Sequence, residues 1–182
     1  MITRFTTEKS CLLVIDVQGR LAEMMHKKKS LFKHIITMIN AANILGVPIY
    51  WFEQYPKGLG STKPAIKELL VGSKYYEKLT FSACDAGDFI SQLKTTRRNQ
   101  CIVTGIETHV CVYQTVIDLL ANEISVKVNE QAVSSRVKSN KKLGLHNMEK
   151  AGASITSTEM ILFELIKTAK NPKFRKISQL LK

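Results

Sequence analysis

Short apolar runs alternate along this chain with longer stretches in which apolar residues recur every three or four positions. Cys11–Val17 is almost continuously aliphatic and predicts a buried strand. Leu31, Ile35, Met38, Ile39, Ala42 and Leu45 then fall on one face of a helix, and Gly46 supplies its C-terminal cap. Val47–Phe52 predicts the next strand. A loop with Pro56, Gly58 and Gly60 follows, then a short helix around Ala65–Leu70, a short strand at Tyr75–Lys78 and a helix at Asp85–Lys94. The second half repeats the rhythm: strand Cys101–Ile106, helix Val112–Leu120, strand Ile124–Val128, helix Lys138–Ala151, strand Ser154–Thr156 and helix Thr158–Thr168.

Strands that alternate with helices of this length predict an α/β fold. The expected architecture is a three-layer αβα sandwich around a mostly parallel, Rossmann-like sheet of roughly six strands. No internal repeat or linker interrupts the pattern, so one domain is expected over residues 1–182. In such sheets ligands bind beyond the carboxyl ends of the strands, where the strand order reverses.

Composition narrows the class. Apolar residues make up 45% of the 182 positions and charged residues 23%, which suits one packed core and excludes a disordered or fibrous chain. No apolar run approaches the ~20 residues of a membrane helix, and no signal-peptide pattern opens the chain, so a cytoplasmic protein with no membrane partner is expected. Four cysteines (Cys11, Cys84, Cys101, Cys111) lack paired spacing. They predict reduced thiols rather than a disulfide framework or a zinc site.

The net charge of +12 collects at Lys27-Lys28-Lys29, Arg97-Arg98, Lys138 with Lys141-Lys142, and Lys167 to Lys176. It fits a solvated lysine-rich surface, and it also fits attraction to nucleic acid. No aromatic residues alternate with these clusters as a single-strand stacking platform requires.

Three predicted strand ends carry reactive types: Asp16, Lys78 and Cys111. The segment around Cys111 is the most informative, because Thr104-Gly105-Ile106 ends a strand and Glu107-Thr108-His109-Val110-Cys111 runs straight into a helix. A thiol at a helix N-terminus meets free N–H groups and the positive end of the dipole. Both are expected to favour the nucleophilic thiolate, and the same N–H groups can hold an oxyanion.

Several blocks together resemble the isochorismatase-like cysteine hydrolases. They are Ile15-Asp16-Val17-Gln18, Glu77-Lys78-Leu79-Thr80-Phe81-Ser82 and Gly105-Ile106-Glu107-Thr108-His109-Val110-Cys111-Val112, with Ala132-Val133-Ser134-Ser135-Arg136 and Ala151 to Glu159 beyond them. The resemblance runs from Cys11 to about Leu181 and points to a subgroup of small isochorismatase-domain proteins whose substrates are unassigned. It implies a triad in which Asp16 takes the thiol proton, Cys111 attacks a carbonyl and Lys78 bridges the two electrostatically. It further implies a cis peptide at Ile106–Glu107 and an oxyanion hole from the backbone N–H groups of Glu107 and Cys111. Nicotinamidases in this superfamily hold a metal with an Asp-x-His pair after the second strand. Here that region reads Glu53-Gln54-Tyr55-Pro56, so neither a metal nor another cofactor is expected, and nicotinamide is disfavoured. Gln131 stands where many relatives have Asp. His109, two residues from Cys111, is assigned to the pocket rim or surface.

The function expected is hydrolysis of a small amide, ureido or ester substrate through a thioester on Cys111. The alternatives are an RNA-binding or ribonuclease-type protein using the basic surface, and a non-catalytic scaffold. A homo-oligomer is expected from the resemblance. Near the end, Phe174, Ile177, Leu180 and Leu181 recur at helical spacing after Asn171-Pro172 and predict an amphipathic helix at about 172–181. That helix packs either on its own domain or on a neighbour.

Overall fold

A computed structural model describes residues 4–182. Its sheet grows from the most apolar segment. Strand β1, Ser10–Ile15, is buried along its whole length, as a strand with neighbours on both edges and helices on both faces must be. Around it lie β2 (Ile49–Gln54), β3 (Lys74–Lys78), β4 (Gln100–Ile106), β5 (Ser125–Ser134) and β6 (Ser154–Thr156). The order is β3-β2-β1-β4-β5-β6 and every pairing is parallel. The expected three-layer α/β sandwich is therefore the observed one, with a sheet parallel throughout.

Alternation along β1 assigns the two faces. Leu12 and Val14 point to one core, which α2 (Lys28–Leu45) fills with Ile35, Met38 and Ile39, and α8 (Thr158–Ile166) with Ile161, Leu162 and Leu165. Leu13 and Ile15 point to the other. There α5 (Phe89–Thr95), α6 (Cys111–Ala121) and α7 (Lys138–Lys150) contribute Phe89, Val112, Val116, Leu119 and Met148. The edge strand β3 is largely exposed, and its charged Lys74 and Glu77 discourage pairing with another sheet.

Three departures from the predicted elements have physical causes. A short helix α1 (Gly19–Glu23) follows β1; it buries only Ala22, too little to write a periodic pattern. Pro56–Leu59, predicted as loop, forms one helical turn, α3, ahead of the predicted short helix, which runs as α4 (Pro64–Lys67) and a 3-10 turn to Leu70. Strand β5 continues past Val128 to Ser134. Its polar Asn129, Glu130 and Gln131 occupy a bulge, since Val103 pairs with Val128 but Gly105 with Val133.

The terminal helix α9, Phe174–Leu180, folds back on its own chain. Ile177 is fully buried in the core beside α2, and the Phe174 ring lies 6.1 Å from that of Phe163, tilted by 40°. Its apolar stripe is thus used internally and supplies no reason to expect a subunit contact. No helix among the described residues is long and apolar enough to cross a membrane.

Candidate active site

The chain lays β1, β2 and β3 outward on one side, then returns to place β4 on the other side of β1. Beyond the carboxyl ends of β1 and β4 the strand order therefore reverses, and a crevice opens there. The residues following those two strands are Asp16 and the segment Glu107 to Cys111.

Asp16 turns the chain out of the sheet with φ of +52°, a left-handed conformation that Asp tolerates better than most side chains. Its N–H donates to the Phe52 carbonyl at 3.1 Å, which keeps the turn tied to β2. The carboxylate is 3% exposed. From the end of β3, Lys78 reaches past β2 and places Nζ 2.7 Å from Asp16 Oδ2 and 2.7 Å from Gln54 Oε1. The carbonyls of Phe81 and Thr80 accept from the same ammonium at 3.0 and 3.2 Å. Lys78, Gln54 and Asp16 follow the strand order β3-β2-β1, so the sheet itself sets their line.

On the other side, Gly105 lets β4 press against β1. A Cβ there would lie 2.1 Å from the Ile15 carbonyl oxygen, and its φ of +122° also suits glycine alone. The Ile106–Glu107 peptide that follows is cis. The buried Glu107 carboxylate accepts from the Arg136 backbone N–H at 2.9 Å and from its Nε at 3.1 and 3.2 Å. The Glu107 carbonyl takes the N–H groups of Val110 and Val112, so α6 begins with Cys111 at its first turn. Among the described residues nothing accepts from the N–H groups of Glu107 or Cys111. Thr115 fixes the far side. Its hydroxyl donates to the Cys111 carbonyl at 2.7 Å and accepts from the Ala83 N–H at 2.9 Å, joining α6 to the segment after Lys78.

Asp16, Ile106, Glu107 and Cys111 line one cavity of about 250 Å³ with largely apolar walls from Leu21, Leu59, Phe81 and Val110. Lys78 sits behind Asp16 and does not itself line the cavity. Asp16 Oδ1 is buried without a conventional partner among the described residues, and the Cys111 thiol is the group close enough to act on that carboxylate. Burial pushes the Asp16 carboxyl up from its ordinary value, against the pull of Lys78. Burial, reinforced by the Asp16 charge, pushes the Cys111 thiol up to about 12, with Lys78 opposing. The helix start and the lysine are in place, but desolvation and the adjacent carboxylate outweigh them, so the resting sulfur carries its proton.

His109 is tied elsewhere: Nδ1 lies 2.9 Å from Ser135 Oγ and Nε2 3.3 Å from Asn140 Nδ2. Gln131, the departure from the relatives' Asp, accepts the Thr158 N–H at 3.0 Å and so holds the first turn of α8. Glu53 occupies the region where nicotinamidases carry metal ligands. Its carboxylate is already bonded to the Thr62 N–H at 2.6 Å, Tyr75 Oη at 2.9 Å and Ser61 Oγ at 3.1 Å, with no histidine beside it. These residues do not fit a metal site of that kind.

Sequence reasoning missed Gln54, Thr115 and Arg136. Arg136 ended a quoted block and offered a signal; Gln54 and Thr115 offered none, because their partners meet only in the folded chain. Gln18, also in a quoted block, donates to the carbonyls of Gly60 and Gln54 at 2.7 and 3.1 Å and pins the loop that carries Leu59.

A parallel sheet covered by helices on both faces, with a crevice at its order reversal, defines the class as a doubly wound α/β fold. The chain belongs to the isochorismatase family: the model of the isochorismatase domain matches residues 10–160. Isochorismatase family protein 1B of Dictyostelium discoideum is 35% identical over 179 residues, covering 96% of this chain and 86% of that one. A Caenorhabditis elegans structure described as the MAR1 ribonuclease superposes with a TM-score of 0.93 at 34% identity, covering 98% and 92%. YcaC of Escherichia coli, described as an octameric hydrolase of unknown specificity, shares the fold at a TM-score of 0.93 and 19% identity, covering 100% and 90%.

Proposed function

We propose that this protein is a metal-independent cysteine hydrolase that cleaves a small amide, ureido or ester substrate through a thioester on Cys111. The observation that carries the reading is the buried Asp16–Lys78 pair, 2.7 Å apart, with Asp16 and Cys111 lining one small cavity. Because the thiol rests protonated, attack needs a base, and Asp16 is in reach with its carboxyl already raised by burial.

The Cys111 sulfur bonds to the substrate carbonyl carbon while its proton passes to Asp16. The electron pair of the carbonyl moves to oxygen, where the N–H groups of Glu107 and Cys111 receive it. Collapse breaks the bond to the leaving nitrogen or oxygen, which takes the proton from Asp16 and departs as amine or alcohol. Water then attacks the thioester, gives a proton to Asp16, and releases the acid as the proton returns to sulfur. Lys78 keeps the Asp16 carboxyl oriented throughout and favours its ionised form before each proton transfer. Walls of leucine, valine and phenylalanine suit a substrate with a compact apolar body.

The reading includes a homo-oligomer in a reducing, cytoplasmic setting. Exposed Leu79 and Phe81 near the cavity mouth, the octamer described for YcaC and the four free thiols support it. Sedimentation well above the 20.5 kDa of one chain is expected.

A panel of small amides, ureides and activated esters tests the chemistry. Hydrolysis should be lost in Cys111→Ala, and mass spectrometry of quenched turnover should find the acyl group on Cys111. Undiminished hydrolysis by Cys111→Ala would overturn the proposal. A second reading, RNA cleavage, is favoured by the +12 charge and by the C. elegans relative. RNA cleavage that survives Cys111→Ala, with affinity falling steeply with salt, would establish it instead.

A further inference from the structure

A second cavity, also of about 250 Å³, opens where the start of α2 faces β5 and α7, and it shares no lining residue with the first. Its ammonium and imidazole groups converge from separate parts of the fold. Lys27 comes from the turn entering α2, His34 from the body of that helix, Lys141 from α7, and His26 from the connection after α1. Helix α2 begins at Lys28 with no acidic residue in its first turn and no side-chain cap, so the positive end of an 18-residue helix adds to the same field. Ser30 contributes a hydroxyl from that first turn.

Little opposes this charge. The only carboxylate among the lining residues is that of the exposed Glu130, and Lys141 Nζ donates to the Glu130 backbone carbonyl at 2.7 Å. Among the described residues neither Lys27 nor Lys141 pairs with a carboxylate within 4.0 Å. His34 engages Thr158 Oγ1 through Nδ1 at 2.9 Å, which leaves its Nε2 available. Burial pushes the Lys141 ammonium down; the Glu130 charge opposes this and the nearby Lys27 charge adds to it. Two ammonium groups, a helix N-terminus, imidazole and hydroxyl donors fit a compact dianion, and Leu31 and Val133 supply apolar wall for whatever the dianion is attached to.

We propose that this cavity is a binding site for the phosphate group of a small phosphomonoester, separate from the nucleophile's cavity. Its concave shape favours a discrete ligand over a nucleic-acid backbone, which needs an extended groove.

The test uses the full-length protein, titrated with inorganic phosphate and with phenyl phosphate at constant ionic strength while the imidazole resonances of the four histidines are followed by NMR. Saturable shifts of His26 and His34 are expected, with His109 and His146 unmoved, and with a Kd of about 1 mM or tighter for phenyl phosphate. Lys27→Gln combined with Lys141→Gln should weaken binding by at least about tenfold, the effect of losing charge-assisted hydrogen bonds. Lys141→Arg should retain most of it, and Cys111→Ala should change nothing. Should the double variant unfold, Lys27→Gln alone gives the same comparison at an exposed position. Shifts spread over all four histidines, equal shifts with matched chloride, or unaltered affinity in Lys27→Gln/Lys141→Gln would overturn the site. A single-stranded RNA oligomer that binds more tightly than phenyl phosphate and displaces it would overturn the small-ligand assignment.

Discussion

Replacing Lys78 with methionine isolates what the buried ammonium does. The side chain is 1% exposed and donates to four oxygens, one of them on a carboxylate that is itself 3% exposed. Breaking a buried pair from one side costs about 3–5 kcal/mol because the remaining charge is stranded. At about 2–4 °C per kcal/mol for a chain of this size, melting should fall by roughly 6–20 °C near neutral pH. The loss should depend on pH. Burial already raises the folded-state pKa of Asp16 above its ordinary 3.8, so its protonation contributes stability that is full below that value and disappears as pH rises through the folded value. Removing Lys78 takes away the main opposing pull and moves the folded value higher still. Lys78→Met should therefore lie closest to wild type in acid and fall further behind as pH rises past the wild-type folded value of Asp16. Adding Asp16→Asn should restore part of the loss at high pH and little at low pH. Urea unfolding followed by circular dichroism across pH 4–9 measures all three proteins. A pH-independent gap, or no recovery in the double variant, would refute the reasoning.

Three further outcomes are expected. Asp16→Asn, which removes the second-largest cause of the raised thiol pKa, should shift the pH profile of Cys111 alkylation by iodoacetamide downward while abolishing hydrolysis; wild-type alkylation should keep rising above pH 9 without a plateau near neutrality, as mass mapping would show. Gly105→Ala should destabilise by about 3 kcal/mol or more, since its Cβ would meet the Ile15 carbonyl oxygen at 2.1 Å on a backbone with φ of +122°; soluble yield and thermal melting report it. Thr115→Val should cost about 1–3 kcal/mol by leaving the Ala83 N–H unsatisfied, and should lower kcat more than it raises KM, because Thr115 positions the nucleophile's turn without touching substrate.

The architecture was legible wherever one residue type dominates a stretch. The unbroken apolar run of β1 and the 3.6-residue stripe of α2 leave no competing reading, and the end of the β1 run places Asp16 at a strand end. Strand β5 was read too short because Asn129-Glu130-Gln131 resembles a loop; the polar groups lie in a bulge whose register depends on β4. The partners of Lys78 could not be read, since Gln54 and the carbonyls of Thr80 and Phe81 are gathered by strand order rather than by spacing. The raised pKa of the Cys111 thiol could not be read for a related reason. The helix start that favours thiolate is written locally, whereas desolvation of the sulfur arises from packing by segments remote in the chain. The terminal stripe of Phe174, Ile177 and Leu180 was ambiguous in the same way, because periodicity states that a face must be covered and not by what.

The pinned loop over the crevice carries a consequence for how this family diversifies. Asp16 and Lys78 stand at the ends of β1 and β3 and Cys111 at the start of α6, whereas Leu21 and Leu59, which shape the cavity, ride on the short helices α1 and α3 outside the sheet. Gly19 allows those two helices to touch, since a Cβ there would sit 2.0 Å from the Leu59 carbonyl oxygen, and Gln18 moors the same loop from below. Chemistry and selectivity are therefore inherited on different stretches of backbone. Substitution in residues 19–23 and 56–60 can redraw the walls while Asp16, Lys78 and Cys111 keep their places at the ends of β1 and β3 and the start of α6, which makes those two turns the natural place for one lineage's substrate range to part from another's.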